Sequence, residues 1–156
     1  PNRVVGEALH AGQVVELAGY SKIRAEVPYG TKSRVDFVLT DVALPDAYVE
    51  VKNVTLRRAQ EWAEFPDSVT TRGAKHLREL ADVVAAGHRA VMLYLVQRTD
   101  CRRLRMAADL DPAYAAAFDA AREAGVEMLC YSTHISAKGV WLSDALPVEL
   151  HAHATG

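Results

Sequence analysis

The sequence predicts one α/β domain in which a mixed β-sheet is flanked by helices. Two segments, residues 33–40 and 47–53, alternate apolar and polar side chains as half-buried strands do. Residues 90–96 form an uninterrupted apolar run, which is typical of a central strand covered on both faces. A helical segment separates that run from a further apolar stretch at 126–131, so a crossover between parallel strands is expected.

The first part of the chain predicts a helix followed by three strands. Asn2 is a candidate N-cap, and Val5 and Leu9 begin the apolar stripe of a helix that runs to Gly12. Three consecutive strands separated by turns follow, over residues 23–29, 33–40 and 47–53. The next residues, among them Arg57, Trp62 and Phe65, are expected to form a loop.

The second part predicts helix, strand, helix and strand. A long helix is expected to begin at Pro66-Asp67 and to end at Gly87. Its apolar face is expected to carry Val69, Gly73, Leu77, Leu80 and Val84. After the strand at 90–96, a helix begins at Asp111-Pro112 and ends at Gly125. The strand at 126–131 follows, and a short hairpin turns at Lys138-Gly139 within residues 135–142.

Composition indicates a single domain over residues 1–150, with a frayed tail at 151–156. Half of the 156 residues are hydrophobic, which is enough to build a core. No apolar run approaches the roughly 18 to 20 residues of a membrane helix, so no membrane partner is expected. The chain starts at Pro1 rather than Met, and an N-terminal portion is therefore expected to precede it.

Charge and cysteine content narrow the function classes further. A formal net charge of −2 argues against a protein that coats nucleic acid through bulk positive charge, so any DNA contact must use local patches. Cys101 and Cys130 lie far apart and form no metal-ligand or redox spacing. They are interpreted as free thiols of a reducing cytoplasm.

Asp36, Glu50 and Lys52 form the candidate site. Side chains alternate along a strand, so Glu50 and Lys52 share one face, and Asp36 lies on the face opposite Phe37. If the two strands pair as a hairpin, Asp36 faces Glu50, and two adjacent carboxylates repel unless a cation lies between them. Mg²⁺ prefers such oxygen ligands, and an ammonium beside them would offset negative charge on a phosphate.

A more ordinary interpretation is that Glu-x-Lys forms a solvated strand edge with a weak ion pair. Several short segments that are typical of one protein family favour the interpretation of Glu50 and Lys52 as part of a functional site. They are SRVDF (33–37), VEVKNVTL (49–56), FPDSVT (65–70), RGAKHL (72–77), GHRAV (87–91), VQR (96–98), GVE (125–127) and LPV (146–148). With the order of elements, these segments resemble the sugar fermentation stimulation protein A (SfsA) family.

The resemblance implies a fold and a location for the site. The fold would be a PD-(D/E)XK restriction-endonuclease-like core, and the family places an OB-like domain in front of it that this chain lacks. Asp36 and Glu50 would be metal ligands, together with the main-chain carbonyl of Val51, and Lys52 would be the catalytic lysine. Glu7, on the first helix, is a second-rank metal ligand, because acids near a helix start are also favoured by the helix dipole.

Other polar residues are candidates for DNA and phosphate binding. The candidates are Arg34, Arg72, Lys75, Gln97 and Arg98. Arg72 and Lys75 recur at helical spacing and could also be a solvated helix edge. Gln97 ends the central strand, where ligands gather in open sheets, or it is a strand-end cap. His76 is ambiguous between a half-buried packing residue and a site residue.

Two functions follow from these expectations. The first is a DNA-binding protein with a Mg²⁺ or Mn²⁺ site that cleaves phosphodiester bonds. The alternative is a non-catalytic DNA-binding module that regulates sugar-metabolism genes. The two differ in metal dependence, because a regulator would bind DNA equally well after chelation. The sequence leaves open whether two chains form a homodimer.

Overall fold

A computed structural model describes residues 1–149, and it shows the expected α/β architecture. The helices are α1 (Asn2–His10), α2 (Thr71–Ala85) and α3 (Pro112–Glu123), with a 3-10 turn at Val15–Leu17. The strands are β1 (Lys22–Tyr29), β2 (Ser33–Asp41), β3 (Leu44–Val54), β4 (Leu56–Ala59), β5 (Trp62–Phe65), β6 (Arg89–Val96), β7 (Arg103–Met106), β8 (Glu127–Ser136) and β9 (Gly139–Ala145). The tail predicted at 151–156 lies outside the described residues.

Six strands form one mixed sheet in the order β1-β2-β3-β6-β8-β9. The first three strands pair antiparallel, whereas β3, β6 and β8 pair parallel to one another. The predicted parallel arrangement of the strands around α3 is therefore confirmed. At the far edge β9 pairs antiparallel with β8, and Ser136 faces Gly139 across the turn.

The sheet is covered on both faces, as the apolar run of β6 predicts. Phe37, Val49 and Val51 pack on one face with α1. On the other face, Leu77 and Leu80 of α2 pack against Met92 and other residues of β6, and Phe118 and Ala121 of α3 join the same core. Since Glu50 and Lys52 alternate with Val49 and Val51, they lie on the α2 side of the sheet.

A second, three-stranded sheet contains β4 and β5, which lie where the sequence predicts a loop, and β7, for which the sequence predicts no element. The loop prediction was wrong. These strands are difficult to recognise from sequence because each has only four residues and carries charged side chains. Glu64 on β5 is 1% exposed, and it accepts hydrogen bonds from Arg58 of β4 and Arg105 of β7. Inward-facing positions of these strands thus carry paired charges. Apolar residues at the same positions would have allowed the strands to be predicted from sequence.

Two helix starts differ from the sequence expectation. The α2 helix begins at Thr71 rather than at Pro66-Asp67, because the Thr70 hydroxyl caps it by accepting from Gly73 N at 3.0 Å. Val69 therefore precedes the helix and is 70% exposed instead of lining the apolar face. In α1 the N-cap is Pro1, and Asn2 is the first helical residue. The start of α3 predicted at Asp111-Pro112 is confirmed, and Asp111 is its N-cap, since the Asp111 Oδ1 atom accepts from Tyr114 N.

None of the helices in residues 1–149 is long and apolar enough to cross a membrane.

Candidate metal and phosphate site

Asp36 lies where the ladder between β2 and β3 opens. The paired positions run to Phe37 and Val49, and continuing that register by one residue sets Asp36 opposite Glu50. There the Asp36 Oδ2 atom accepts a hydrogen bond from Val51 N at 2.7 Å, in place of a backbone carbonyl. The Oδ1 atom accepts from Asn2 Nδ2 of α1 at 2.8 Å. The carboxylate is thereby held between the two strands and the first helix.

Glu50 is the buried acid of the site. Its side chain is almost fully enclosed, and its Oε2 atom is buried without a hydrogen-bond partner among the described residues. Burial and then the negative charge of Asp36 together raise the pKa of Glu50 to about 8, against the attraction of Lys52 and Arg72. A buried acceptor with no partner is costly unless a proton or a cation joins it.

Lys52 and His76 complete the centre of the site. The Lys52 Nζ atom lies 3.8 Å from Glu50 Oε1 and 3.2 Å from His76 Nδ1. Burial, followed by the positive charges of Lys52 and Arg72, lowers the pKa of His76 to about 4. The ring is therefore neutral near pH 7, and its Nδ1 accepts from the ammonium while Nε2 carries the proton. The structure thus places the ambiguous His76 in contact with Lys52.

Tyr29 adjoins these groups, although no pattern in the sequence predicts it there. Its hydroxyl is buried without a hydrogen-bond partner in residues 1–149. Burial, then the negative charges of Glu50, Glu79 and Asp36, raise the pKa of the phenol, so it stays protonated and able to donate. Strand alternation does not reveal such a residue, because its approach to Glu50 depends on how β1 and the β1–β2 turn pack against α2.

The candidate phosphate-binding residues are dispersed around this centre. Arg72 lies within electrostatic reach of both Glu50 and His76. Lys75 is tied to the β1–β2 turn, where its Nζ donates to Thr31 O at 2.7 Å and lies 3.6 Å from Glu79 Oε1. Arg34 is exposed on β2.

Gln97 and Arg98 lie beyond the carboxyl end of β6. Gln97 N donates to Val54 O, and the Arg98 guanidinium pairs through two nitrogens with Asp100 and donates to Thr55 O. This end of the sheet is away from Lys52, whose partner on β6 is Tyr94. The charge of Arg98 is largely compensated by Asp100, so its proposed phosphate contact would require that pair to open.

The predicted metal ligands from α1 and from the main chain remain predictions. Glu7 is exposed, and the α1 side chain that touches Asp36 is Asn2. Val51 lies against Asp36 through its N–H, and the role predicted for its carbonyl is not tested by this contact. The sequence identifies Asn2 only as a candidate N-cap, and its contact with Asp36 was not predicted.

The donor set fits a hard cation better than zinc. In the described part of the chain, no group of three His, Cys, Asp or Glu side chains is arranged to hold a metal ion. Mg²⁺ is commonly held by one or two carboxylates plus waters and substrate phosphate, whereas structural zinc needs four protein ligands. The carboxylates of Asp36 and Glu50, the latter with its partnerless Oε2, satisfy the first requirement and not the second.

Comparison with known proteins decides the family. Residues 1–139 match the family model described as the sugar fermentation stimulation protein RE domain. The chain belongs to the SfsA family. Among SfsA relatives, it is 72% identical over 154 residues to a sugar fermentation stimulation protein homologue of Dinoroseobacter shibae, covering 99% of this chain and 63% of that relative. A homologue from a Jannaschia species is 61% identical over 150 residues, with 96% and 62% covered.

A solved structure supports the same assignment. It is described as the structure of Pyrococcus furiosus SfsA in complex with Ca²⁺, and it superposes with a TM-score of 0.84 at 28% sequence identity. The match covers 94% of this chain and 64% of that chain. This chain therefore spans less than two thirds of the length of the SfsA proteins that it matches.

Proposed function

We propose that this chain is the nuclease-like part of an SfsA protein, which binds DNA and cleaves phosphodiester bonds with Mg²⁺ or Mn²⁺ held by Asp36 and Glu50. The observation that carries the proposal is the Glu50 carboxylate, which is buried beside a second acid with one oxygen lacking a partner in residues 1–149. A divalent cation at that oxygen would offset both the burial and the repulsion from Asp36.

The arrangement of elements supports a PD-(D/E)XK core. A helix precedes three antiparallel strands, and a second helix and a parallel strand follow, with Asp36 on the second strand and Glu50 and Lys52 on the third. The small sheet of β4, β5 and β7 is an addition to the order that the sequence predicts. The Ca²⁺ in the description of the Pyrococcus furiosus structure also supports an oxygen-ligand cation site.

Each residue would have a distinct part in the reaction. Asp36 is oriented by Asn2 and Val51 N, so its free lone pairs are directed by two fixed donors. Lys52 is held between Glu50 and His76, where its charge would stabilise negative charge developing on a phosphate. When bound, the cation would supply Lewis-acid polarisation of the phosphate and a lowered pKa for water. Arg72 would bind an adjacent phosphate.

The proposal includes a cytoplasmic setting. Cys101 and Cys130 are buried free thiols, in keeping with a reducing cytoplasm. The family resemblance implies an OB-like domain elsewhere in the full-length protein, and DNA contacts of that domain would add to those of this chain.

Metal binding is tested by calorimetric titration of Mn²⁺ into wild type, Glu50→Gln and a control, Glu123→Gln, which changes an exposed carboxylate on α3. We expect wild type and the control to bind with equal affinity and Glu50→Gln to lose binding. Absence of binding by wild type at millimolar Mn²⁺ would overturn the metal site.

Catalysis is tested by incubating single-stranded and duplex DNA with Mn²⁺. Lys52→Ala and Asp36→Ala are expected to abolish cleavage, whereas Lys22→Ala, an exposed lysine on β1, leaves it unchanged. Equal cutting by all of these proteins would indicate a contaminant. DNA binding that is unaffected by chelation, with no cleavage by wild type, would assign the chain to the regulatory alternative.

A further inference from the structure

A cavity of about 280 Å³ adjoins the metal and phosphate site on the α2 side of the sheet. Its walls include Tyr29, Tyr48, Glu79, Asp82, Val83 and His88. Tyr48 precedes Glu50 by two residues on β3 and therefore lies on the same face of the sheet. Tyr29 is shared by the cavity and the metal and phosphate site, because it lines the cavity and its hydroxyl is within electrostatic reach of Glu50.

The walls suit a flat ring. The Tyr29 and Tyr48 ring centroids are 6.2 Å apart, and those of Tyr48 and His88 are 5.6 Å apart, so three rings form a continuous row. Val83 adds an apolar contact from α2. Stacking of a nucleobase on aromatic side chains is a general mode of binding unpaired nucleic acid, and it tolerates every base because each has a π-face.

The charges of the cavity oppose a phosphate and favour N–H donors. Glu79 and Asp82 both contribute carboxylates. Glu79 is buried and already accepts from Ser33 Oγ at 2.7 Å and from Thr31 N, whereas Asp82 is exposed at the mouth. An ionised carboxylate only accepts hydrogen bonds, so it matches the amino groups of cytosine, adenine or guanine better than thymine, whose one N–H on that edge lies between two repelling carbonyl oxygens.

We propose that this cavity receives one unpaired nucleobase bearing an amino group, from the strand whose phosphate lies at Lys52. The inference rests on the proposed function and extends it to a substrate class, single-stranded or frayed DNA. A base inside a duplex is stacked and hydrogen-bonded on its Watson–Crick edge and must leave the stack to enter such a pocket. The volume is slightly below the roughly 300 Å³ at which small-molecule pockets begin, so it admits a base and not a duplex.

The Tyr29 hydroxyl links the cavity to the metal and phosphate site. It is buried without a partner in the described residues, and a buried donor of this kind calls for an acceptor. A strand with one base against Tyr48 and a phosphate at Lys52 would pass this hydroxyl and supply one. The cavity would then determine which phosphodiester bond, relative to the bound base, reaches Lys52.

The test measures binding of fluorescein-labelled octamers by anisotropy, in chelator so that no strand is cut. The ligands are single-stranded oligo-dC and oligo-dT, a blunt duplex, and free dCMP as a competitor. The pocket variants are Tyr48→Leu, Asp82→Asn and His88→Ala. Their controls are Glu123→Gln and His10→Ala, which change exposed residues outside the cavity.

Wild type is expected to bind oligo-dC about tenfold more tightly than the duplex, and Tyr48→Leu to lose about tenfold, the scale of one base–aromatic stack. Asp82→Asn should remove the preference for dC over dT, and the two controls should bind as wild type does. Asp82 and His88 are exposed, so their variants test the cavity even if Tyr48→Leu fails to fold. Equal binding by wild type and all three pocket variants would overturn the inference.

Two further outcomes separate the possibilities. Competition by dCMP as strong as that by the octamer would assign the cavity to free nucleotides and overturn the single-strand assignment. Mn²⁺ binding and duplex cleavage that persist unchanged in the pocket variants, with no preference for single strands, would overturn the cavity inference and leave the proposed function standing. If the protein binds no Mn²⁺ but its octamer binding still depends on Tyr48 and Asp82, the proposed metal site would be overturned and the cavity inference would stand.

Discussion

The Lys52 ammonium lies 3.2 Å from His76 Nδ1, and both side chains contact the same oxygen of Glu50 at 3.8 and 3.6 Å. A lysine on a strand and a histidine on the facing helix thus converge on one carboxylate. The neutral imidazole accepts from the ammonium and fixes its position, while the ammonium disfavours a second positive charge on the ring.

Lys52→Ala should raise the pKa of His76 above its value of about 4, because the variant removes a positive charge that lowers it. Burial is the larger cause and persists, so the pKa should stay below about 6.5, the ordinary value for histidine. Ring-proton chemical shifts followed against pH by NMR report this directly. Lys22→Ala is the control, and an unchanged His76 titration in Lys52→Ala would show that the two side chains do not interact in solution.

Glu50 should make the metal-free protein less stable as pH rises. Its pKa is raised to about 8 from an ordinary value of 4.5, so the folded state holds a proton that the unfolded state releases, and the stability this gives is lost as pH rises through 8. His76, with its lowered pKa, acts oppositely between about pH 4 and 6.5. The effect of Glu50 should therefore be seen clearly between pH 6.5 and 8, as a loss of about 1–2 kcal/mol.

Urea denaturation in chelator at several pH values measures that loss. Glu50→Gln has no proton to release at this position, so its free energy of unfolding should stay level across the window. Glu123→Gln should follow wild type. A decline in Glu50→Gln as steep as that of wild type would place the titration on another group.

Asn2→Ala should weaken metal binding without unfolding the protein. The variant removes one of the two donors that orient Asp36, and Val51 N remains. Loss of a hydrogen bond to a metal ligand typically costs about 10- to 100-fold in metal affinity. Mn²⁺ calorimetry gives the ratio, with Arg3→Ala, an exposed neighbour in the same turn, as the control. Identical affinities for Asn2→Ala and Arg3→Ala would show that the Val51 amide orients Asp36 unaided.

Gly30→Ala should destabilise the β1–β2 turn. Gly30 has φ +57, and an added Cβ would lie 1.7 Å from Glu79 Oε2, so the buried carboxylate would have to leave Ser33 and Thr31. Left-handed strain and the lost hydrogen bonds together predict a cost of about 2–4 kcal/mol.

Gly12→Ala is the matched control for that change. Gly12 has a similar φ of +70, but nothing lies within 4 Å of its added Cβ, so only the strain of about 1–2 kcal/mol should appear. Urea denaturation of both variants gives the difference. Equal costs would indicate that Glu79 moves away from Gly30 without loss.

Strand alternation accounts for the part of the site that sequence could predict. The period of two fixes Glu50 and Lys52 on one face once β3 is recognised, and the register of β2 brings Asp36 opposite them. Asn2 and Tyr29 could not be predicted in this way. Each reaches the acids through tertiary packing, of α1 and of the β1–β2 turn, that no local periodicity encodes.

The errors in predicting the fold from the sequence have local causes. Pro66-Asp67 and Thr70 are both residue types that commonly begin a helix. The structure begins α2 after Thr70, whose N–H donates to Asp111, a residue distant in sequence. The short strands β5 and β7 were not predicted because charged residues such as Glu64 and Arg105 usually indicate a surface position. Here the two side chains pair with each other. A mixed sheet with helices on its faces could be predicted, because the apolar runs that define it are long and unambiguous.

The hydrogen bond from Val51 N to Asp36 also makes a backbone atom into a reporter. An amide that donates to a carboxylate instead of a carbonyl shifts its proton resonance when that carboxylate changes its charge or its partners. The single cross-peak of Val51 in a ¹⁵N-correlated spectrum should therefore follow protonation, cation binding and the approach of a phosphate without any substitution or attached probe at the site.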